Sequence, residues 1–349
     1  MKIGFVMEPI PAKNLKKDST LLLMFEAQNN GHDIYFIDSK NLFMKDNQPY
    51  CLYQKVEVSL NDTNFNVLSS SENTMNFFEV IMMRQDPPVD YSFIVNTMIL
   101  EKAADLGVNV INNPSNLRNL NEKIFALNFP KFCPPTLITS DFEIFKNFLK
   151  ENEHIVDKPL NSMGGDSIFQ LKKDDEHLSE VYSKISKEGE VKFIAQKFLP
   201  EISIGDKRIL IINGKVPKHA VLRTPPEGEF IGNLAAGGSA STIELNEQDK
   251  IIAQTVADKM LDFGLYIVGL DMIGNFLTEI NLTSPTCFRE LNDQTGENLA
   301  KLYRQKDDQE SLIKASECFL KATELRPVSY THLRAHETSL HLVCRLLLE

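Results

Sequence analysis

Between Lys158 and Phe169 the chain reads Lys-Pro-Leu-Asn-Ser-Met-Gly-Gly-Asp-Ser-Ile-Phe, and a strand-like stretch, His154 to Leu160, leads into it. Few folds accommodate a strand that ends on a lysine and opens into a loop holding Gly164 and Gly165. Glycine lacks a Cβ and reaches positive φ without strain, so backbone N–H groups in such a loop can approach polyphosphate oxygens closely. The same two glycines on their own also suit a tight hairpin turn. What favours the nucleotide grip is a partner segment far along the chain.

That partner is Leu270-Asp-Met-Ile-Gly-Asn-Phe-Leu-Thr-Glu-Ile-Asn281, two apolar runs joined at Gly274-Asn275, the pattern of a β-hairpin. Glu279 and Asn281 lie two apart, share one strand face, and are oxygen ligands of the kind Mg²⁺ takes beside phosphates. Asp271 joins them only if the register allows. A two-residue loop pairs position 271 with 278 and turns Asp271 away; a three-residue loop at 274–276 pairs it with Glu279, and this is the form expected. The alternative, a solvated polar face, sits poorly with Ile267-Val-Gly-Leu270, which reads as a buried strand.

Composition narrows the class without choosing within it. A chain of 349 residues with 42% hydrophobic content can bury a large core and divide into two or three domains. A net charge of −11 argues against nucleic acid as a partner, since phosphate-backbone binding needs a basic face. No apolar run approaches membrane-spanning length, and Lys2 leads straight into a strand, so neither a membrane segment nor a signal peptide is expected. Five cysteines without a Cys-x-x-Cys pair predict free thiols in a reducing cytosol and no zinc site. His32, His154, His177 and His219 show no ligand spacing.

The first 120 or so residues alternate strand and helix signals. Ile3–Val6 and Asp33–Ile37 read as strands around a helix that Asp18-Ser19 can cap and Gly31 stops. Residues 59–76 read as a polar loop region, Val80–Met83 as a buried strand, Tyr91–Leu106 as an amphipathic helix, and Val108–Ile111 as another strand. This is an α/β pattern, doubly wound on a parallel sheet, whose ligands bind beyond the strand carboxyl ends, where Glu8, Arg84 and Asn112-Asn113 fall. From about Lys123 the pattern becomes antiparallel: a helix at 141–151, a central strand at 193–198, a hairpin at Asn213-Gly214, and a helix at 246–263. Thr224 to Ser241, rich in glycine and small residues, cannot pack a core and reads as a mobile lid.

Together these segments resemble the ATP-grasp superfamily, and more narrowly bacterial-type glutathione synthetase. The words that carry the resemblance are Met7-Glu8-Pro9, Met83-Arg84-Gln85-Asp86-Pro87-Pro88-Val89-Asp90, Asn121-Glu122-Lys123, Lys158-Pro159-Leu160, Gln196-Lys197-Phe198-Leu199-Pro200 and Gly205-Asp206-Lys207-Arg208. They continue through Gly232-Asn233-Leu234-Ala235-Ala236-Gly237-Gly238, the 271–281 hairpin and Thr283-Ser284-Pro285-Thr286-Cys287-Phe288-Arg289-Glu290. The resemblance covers about residues 1–305. It implies an α/β substrate-binding domain over 1–121 and, over 122–306, an α+β ATP-grasp domain holding the nucleotide between two antiparallel sheets.

The implied activity is ATP-dependent ligation of γ-glutamylcysteine and glycine, through an acyl phosphate, in a cytoplasmic homo-oligomer, tetramer or dimer, using ATP and Mg²⁺ or Mn²⁺. By the same resemblance Lys123 and Lys158, with Gly164 and Gly165, hold phosphates. Gln196, Lys197, Phe198 and Leu199 meet adenine, and Asp206 the ribose or the adenine side. Arg208, Arg223 and Asn281 neutralise the transferring phosphoryl group, and Asp271, Glu279 and Asn281 bind metal. Arg84 with Ser284, Pro285, Thr286 and Arg289 grips substrate carboxylates, since arginine forks suit them. Cys287 is expected to pack beside the substrate and not to act as a nucleophile.

Several positions depart from the family pattern. Glu8 stands where Asp is usual, and Asn161-Ser162 replaces the commoner Asp-Gly. Asp157 stands where an apolar residue is usual, so it either buries a carboxylate or finds a partner. Ile231 and Ser239 occupy lid positions where arginine is common. Other readings are an ATP-grasp ligase of different substrates, or a nucleotide-binding protein that no longer ligates. Beyond about residue 306 the resemblance stops; 307–327 is either a native helix or foreign, and 328–349 is similar to translated sequencing-adapter read-through.

Overall fold

The computed structural model describes residues 1–9, 18–60, 66–161, 167–234, 237–297 and 299. The glycine pair at 164–165 and the segment 307–349 lie outside these.

The N-terminal region comprises β1 (Lys2–Met7), α1 (Ser19–Asn29), β2 (Asp33–Asp38), β3 (Leu42–Lys45), β4 (Gln48–Glu57), β5 (Asn66–Thr74), β6 (Val80–Met83), α2 (Tyr91–Asp105), β7 (Asn109–Ile111) and α3 (Pro114–Asn119). The helix starts follow their caps: Asp18 accepts from the Leu21 N–H, Asp90 from Phe93 and Asn113 from Asn116. Four strands, in the order β2-β1-β6-β7, are parallel, and the expected parallel core is there. The sheet as a whole is mixed, because β4, β3 and β5 extend it antiparallel beyond β2. Residues 66–74, expected within a loop, form β5. Its side chains are exposed almost throughout, so the strand stands on its backbone ladder to β4, which residue polarity does not report.

After α4 (Glu122–Phe125), a second sheet contains β8 (Thr136–Thr139), β9 (His154–Pro159), β10 (Phe169–Lys172) and β11 (Phe193–Lys197), with α5 (Phe142–Asn152) and α6 (Leu178–Ser186). Its order is β10-β9-β11-β8, all antiparallel. It owns a small core of Phe145, Leu149, Ile155, Leu171, Ile185, Phe193 and Ala195.

The third sheet contains β12 (Asp206–Ile212), β13 (His219–Thr224), β14 (Ser239–Glu244), β15 (Ile267–Ile273) and β16 (Phe276–Asn281), with α7 (Glu247–Met260) and α8 (Phe288–Thr295). Its order is β14-β13-β12-β15-β16, again antiparallel. Asn213 and Gly214 turn the chain after β12 with φ of 50° and 70°, the two positive values a type I′ turn needs. A continuous apolar core runs from Val6, Ile81 and Leu100 of the first region to Ile209, Val256, Leu270 and Ile280 of the third sheet.

Asn112 locks that junction. Its amide donates to the carbonyls of Ile267 and Leu282 at 2.8 Å each, and its Oδ1 accepts from the N–H groups of Tyr266 and Ile267 at 2.7 and 2.9 Å. Sequence position alone put Asn112 where ligands bind; in the fold its side chain is buried and engaged in structure.

Candidate active site

Strand period and register assemble the chemistry on one face of the third sheet. Asp206 and Arg208 are two apart on β12, so they share that face. Register sets Asp206 opposite Arg223, Arg208 opposite Asp271, and Asp271 opposite Glu279, with Asn281 two residues on. The turn from β15 to β16 has two residues and not the three expected, because Ile273 pairs with Phe276. A β-bulge then supplies the missing residue: Met272 faces Leu277, Thr278 is extra, and Asp271 faces Glu279 after all. The Thr278 hydroxyl donates to the Asp271 carbonyl at 3.0 Å across the bulge.

The facing side chains form an alternating chain of charge. Arg208 donates to Asp271 through Nε at 2.5 Å and Nη2 at 3.0 Å. Arg223 Nη2 reaches Asp271 Oδ2, the oxygen that Arg208 Nη2 also uses, at 3.0 Å and also hydrogen-bonds Asp206. Burial would raise the Asp271 carboxyl, but the Arg208 and Arg223 guanidiniums override it and hold it well below the usual range. Asp206 is different: burial wins over the attraction of Arg223 and carries its carboxyl up to about 6. Two buried polar atoms here, Asp206 Oδ1 and Arg223 Nε, have no hydrogen-bond partner. Gly269 makes room for the cluster, since a Cβ there would lie 2.9 Å from Pro285 Cβ and 3.1 Å from Arg208 Cδ.

The second sheet supplies the opposite wall. On β9, Val156 and Lys158 point to the cavity, whereas Ile155 and Asp157 belong to the other face. Lys158 Nζ donates to Gln196 Oε1 at 3.2 Å. Its ammonium pKa is lowered by burial, partly offset by the charge of Glu279. Asp157 is fully buried, opposite Phe169 and Ala195, and neither oxygen has a hydrogen-bond partner. Of its two expected fates it has met the first.

From α4, Lys123 reaches Glu279 Oε1 at 3.1 Å. Its neighbour Glu122 accepts from the Leu282 N–H, the Thr283 N–H and the Thr283 hydroxyl at 2.7, 3.0 and 3.1 Å. Burial, and then the nearby Glu279 charge, raise the Glu122 carboxyl against those hydrogen bonds.

These walls enclose a cavity of about 310 Å³. Of the residues named from sequence, Lys123, Lys158, Gln196, Lys197, Phe198, Leu199, Asp206, Arg208, Arg223, Asp271, Glu279, Asn281, Ser284 and Thr286 line it together. Arg84, Pro285, Cys287 and Arg289 stand off the wall. Arg84 is buried and donates to the Thr20 hydroxyl at 3.1 Å and the Pro285 carbonyl at 2.9 Å, so it braces the loop through Pro285. Arg289 Nε lies 3.9 Å from Asp293. Cys287 is buried, its thiol pushed up by that burial, in keeping with a packing role.

Wall residues that sequence reasoning passed over include Glu122, Val156, Ile202, Phe230, Gly232, Ile273 and Thr283. Val156 was available from the strand period, two residues before Lys158. Glu122 lay inside a quoted motif of which only the lysine was given a role. Ile231 of the loop is on the wall; Ser239 pairs with Thr224 as an exposed residue of β14.

A nucleotide-sized cavity between two antiparallel sheets, with lysines on one wall and arginines, carboxylates and an amide on the other, defines an ATP-grasp ligase. Solved structures agree on the fold. D-cycloserine synthetase DcsG superposes with a TM-score of 0.62 at 13% identity, covering 86% of this chain and 97% of that one. ATP-grasp ligase PsnB, complexed with minimal precursor, Mg and ADP, gives 0.55 at 16% identity over 90% and 98%. Family models for the prokaryotic glutathione synthetase N-terminal and ATP-grasp domains match residues 1–118 and 122–296. The glutathione synthetase of Buchnera aphidicola subsp. Schizaphis graminum is 41% identical over 295 residues, 84% of this chain and 92% of that protein. The chain belongs to the prokaryotic glutathione synthetase family.

Proposed function

We propose that this chain is a glutathione synthase, joining γ-glutamylcysteine to glycine while ATP becomes ADP and phosphate. The observation that carries the reading is the shared cavity, in which Lys158 and Gln196 of one sheet face Asp271, Glu279 and Asn281 of the other. In the first step the cysteinyl carboxylate oxygen attacks the γ-phosphorus and ADP leaves. In the second the glycine amine attacks the acyl carbon, phosphate leaves with the bonding pair, and the amine gives up a proton. Both steps need positioned charge more than a proton shuttle.

Lys123 and Lys158 bind the phosphates, and to them we add Gly164 and Gly165, which lie outside the described residues. Gln196, Lys197, Phe198 and Leu199 meet the adenine, and the unpartnered Asp206 Oδ1 suits a ribose hydroxyl. Arg208 and Arg223 stabilise the transferring phosphoryl group, to which the unpartnered Arg223 Nε is free to donate. Asp271, Glu279 and Asn281 are a hard oxygen set that fits a divalent cation, Mg²⁺ or Mn²⁺, which when bound screens phosphate charge. Ser284 and Thr286 receive substrate carboxylates, and Arg84 supports that loop through the Pro285 carbonyl. We place the domain division between residues 121 and 122 and a tail outside the family from 307, of which 328–349 is foreign. We place the enzyme in the cytoplasm as a homo-oligomer, dimer or tetramer. Among the described residues no helix is long and apolar enough to cross a membrane.

The test is phosphate release and amide product with γ-glutamylcysteine plus glycine, on the full chain and on one ending at residue 306. Phosphate release no greater than with ATP alone counts against the reading. Glu279→Gln, which keeps shape and removes charge, is expected to cut turnover at least ~100-fold. Chelating the divalent cation should stop turnover in the unsubstituted chain.

A further inference from the structure

The tripeptide Asn121-Glu122-Lys123 touches three different parts of the site at once. Asn121 caps α4, its Oδ1 accepting from the Lys123 and Ile124 N–H groups at 3.1 Å each. Its Nδ2 meanwhile donates to the carbonyl of Leu160, two residues beyond Lys158, at 2.8 Å. Lys123 holds Glu279. Glu122 gathers three donors from Leu282 and Thr283 onto a single oxygen, Oε1.

Leu282 and Thr283 follow Asn281 directly and begin the segment whose Ser284 and Thr286 line the cavity. That segment leaves the sheet at Asn281, so its backbone N–H groups have no further strand to pair with. A half-buried carboxylate is the acceptor they use, and hydrogen bonds to a charged acceptor are stronger than those between neutral groups. The floor of the acceptor side is thus tied to the same helical turn whose next residue, Lys123, binds the metal-side carboxylate.

We infer that Glu122 is a positioning residue for the ligation step, and that Asn121 and Glu122 divide the work. Asn121 sets α4 against the phosphate-binding strand; Glu122 sets it against the segment that receives the acceptor. Glu122 acts through Leu282 and Thr283 and touches neither reacting group. The inference rests on the ligase reading above, so it needs one readout that does not depend on turnover.

Glu122→Leu removes the acceptor, Glu122→Gln keeps an oxygen at the same place, and Thr283→Val removes only the hydroxyl donor. For Glu122→Leu, the KM of the acceptor substrates should rise about tenfold or more while that for ATP stays within about twofold. Phosphate release should outrun amide formation, because the acyl phosphate waits longer for a misplaced amine and water attacks its acyl carbon instead, releasing phosphate and the free carboxylate. Thr283→Val should move the same quantities in the same direction by less. Glu122→Gln should restore them to within about threefold.

Asn121→Asp keeps the cap and loses the bond to Leu160, and should give the opposite split, with ATP affected and the acceptors not. Independently of turnover, amide exchange in a peptide spanning residues 282–288 should quicken in Glu122→Leu while one spanning 154–160 does not. Equal rises in both KM values, a Gln variant as damaged as the Leu variant, or unchanged exchange at 282–288 would each overturn the inference. If the unsubstituted chain makes no amide, the ligase reading fails while the exchange measurement still decides the role of Glu122.

Discussion

Asp157 is the residue most at odds with its surroundings, a carboxyl in an apolar core with both oxygens unpartnered. Burial pushes its pKa well above the ordinary carboxyl value of 3.8, so the folded chain holds a proton that the unfolded chain releases above about pH 4. In that window the unfolded state binds fewer protons, and the residue's contribution to stability therefore falls as pH rises, until the folded-state pKa is passed. Asp157→Val, which suits a strand and fills the site, should stabilise the protein by ~1–3 kcal/mol at pH 7.5. The gain should shrink toward pH 4.5, as read by urea unfolding at both values; an equal gain at both would show that the carboxyl is not held protonated. The strand period made this partly legible, because alternation on β9 sends Lys158 and Asp157 to opposite faces. Which face meets the cavity and which the core depends on what packs there, and one strand's residues do not say.

At the scale of elements, the loop between β13 and β14 lies on the site by close backbone packing. A Cβ on Gly232 would fall 2.5 Å from the Arg223 carbonyl oxygen and 3.6 Å from Asp206 Cβ. Gly232→Ala should therefore displace the loop from the Arg223–Asp206 pair, raising the KM for ATP about tenfold, while the melting temperature moves by no more than a few degrees. Steady-state kinetics beside a thermal scan checks this, and a large fall in melting temperature with an unchanged KM would assign Gly232 to the core instead. The glycine-rich composition announced a loop, but its seat on the arginine pair comes from the partners across the gap. The 271–281 hairpin teaches the same lesson more sharply. Its two strands and its Gly274-Asn275 turn were plain from pattern, and the pairing of Asp271 with Glu279 was the one expected. The device was not: the chain uses a shorter turn plus a bulge at Thr278, since nothing in the local residues marks which strand carries the extra one.

For the whole molecule, one side chain couples the first sheet to the third. Asn112→Ala strips four hydrogen bonds from Tyr266, Ile267 and Leu282 and leaves their backbone groups buried, which should cost about 2–4 kcal/mol in denaturant unfolding. A loss below about 0.5 kcal/mol, the level of an ordinary surface change, would show that the junction stands without it. Nucleotide with a divalent cation should raise the stability of the unsubstituted chain by about 2.7 kcal/mol at a hundredfold excess over Kd, and Glu279→Gln should blunt that gain. Alternating patterns, caps and turn residues act within a few neighbours, so the residues themselves determined most of the helices, the four parallel strands, several of the later antiparallel ones and most of the charged groups that matter. Tertiary structure decided what depends on the other side of a contact. It made the sheet mixed by adding β3, β4 and β5, turned Asn112 into a brace, drew Arg84 behind the loop, and gave Glu122 its three donors from 160 residues away, because a side chain's role is set by the partners folding brings to it.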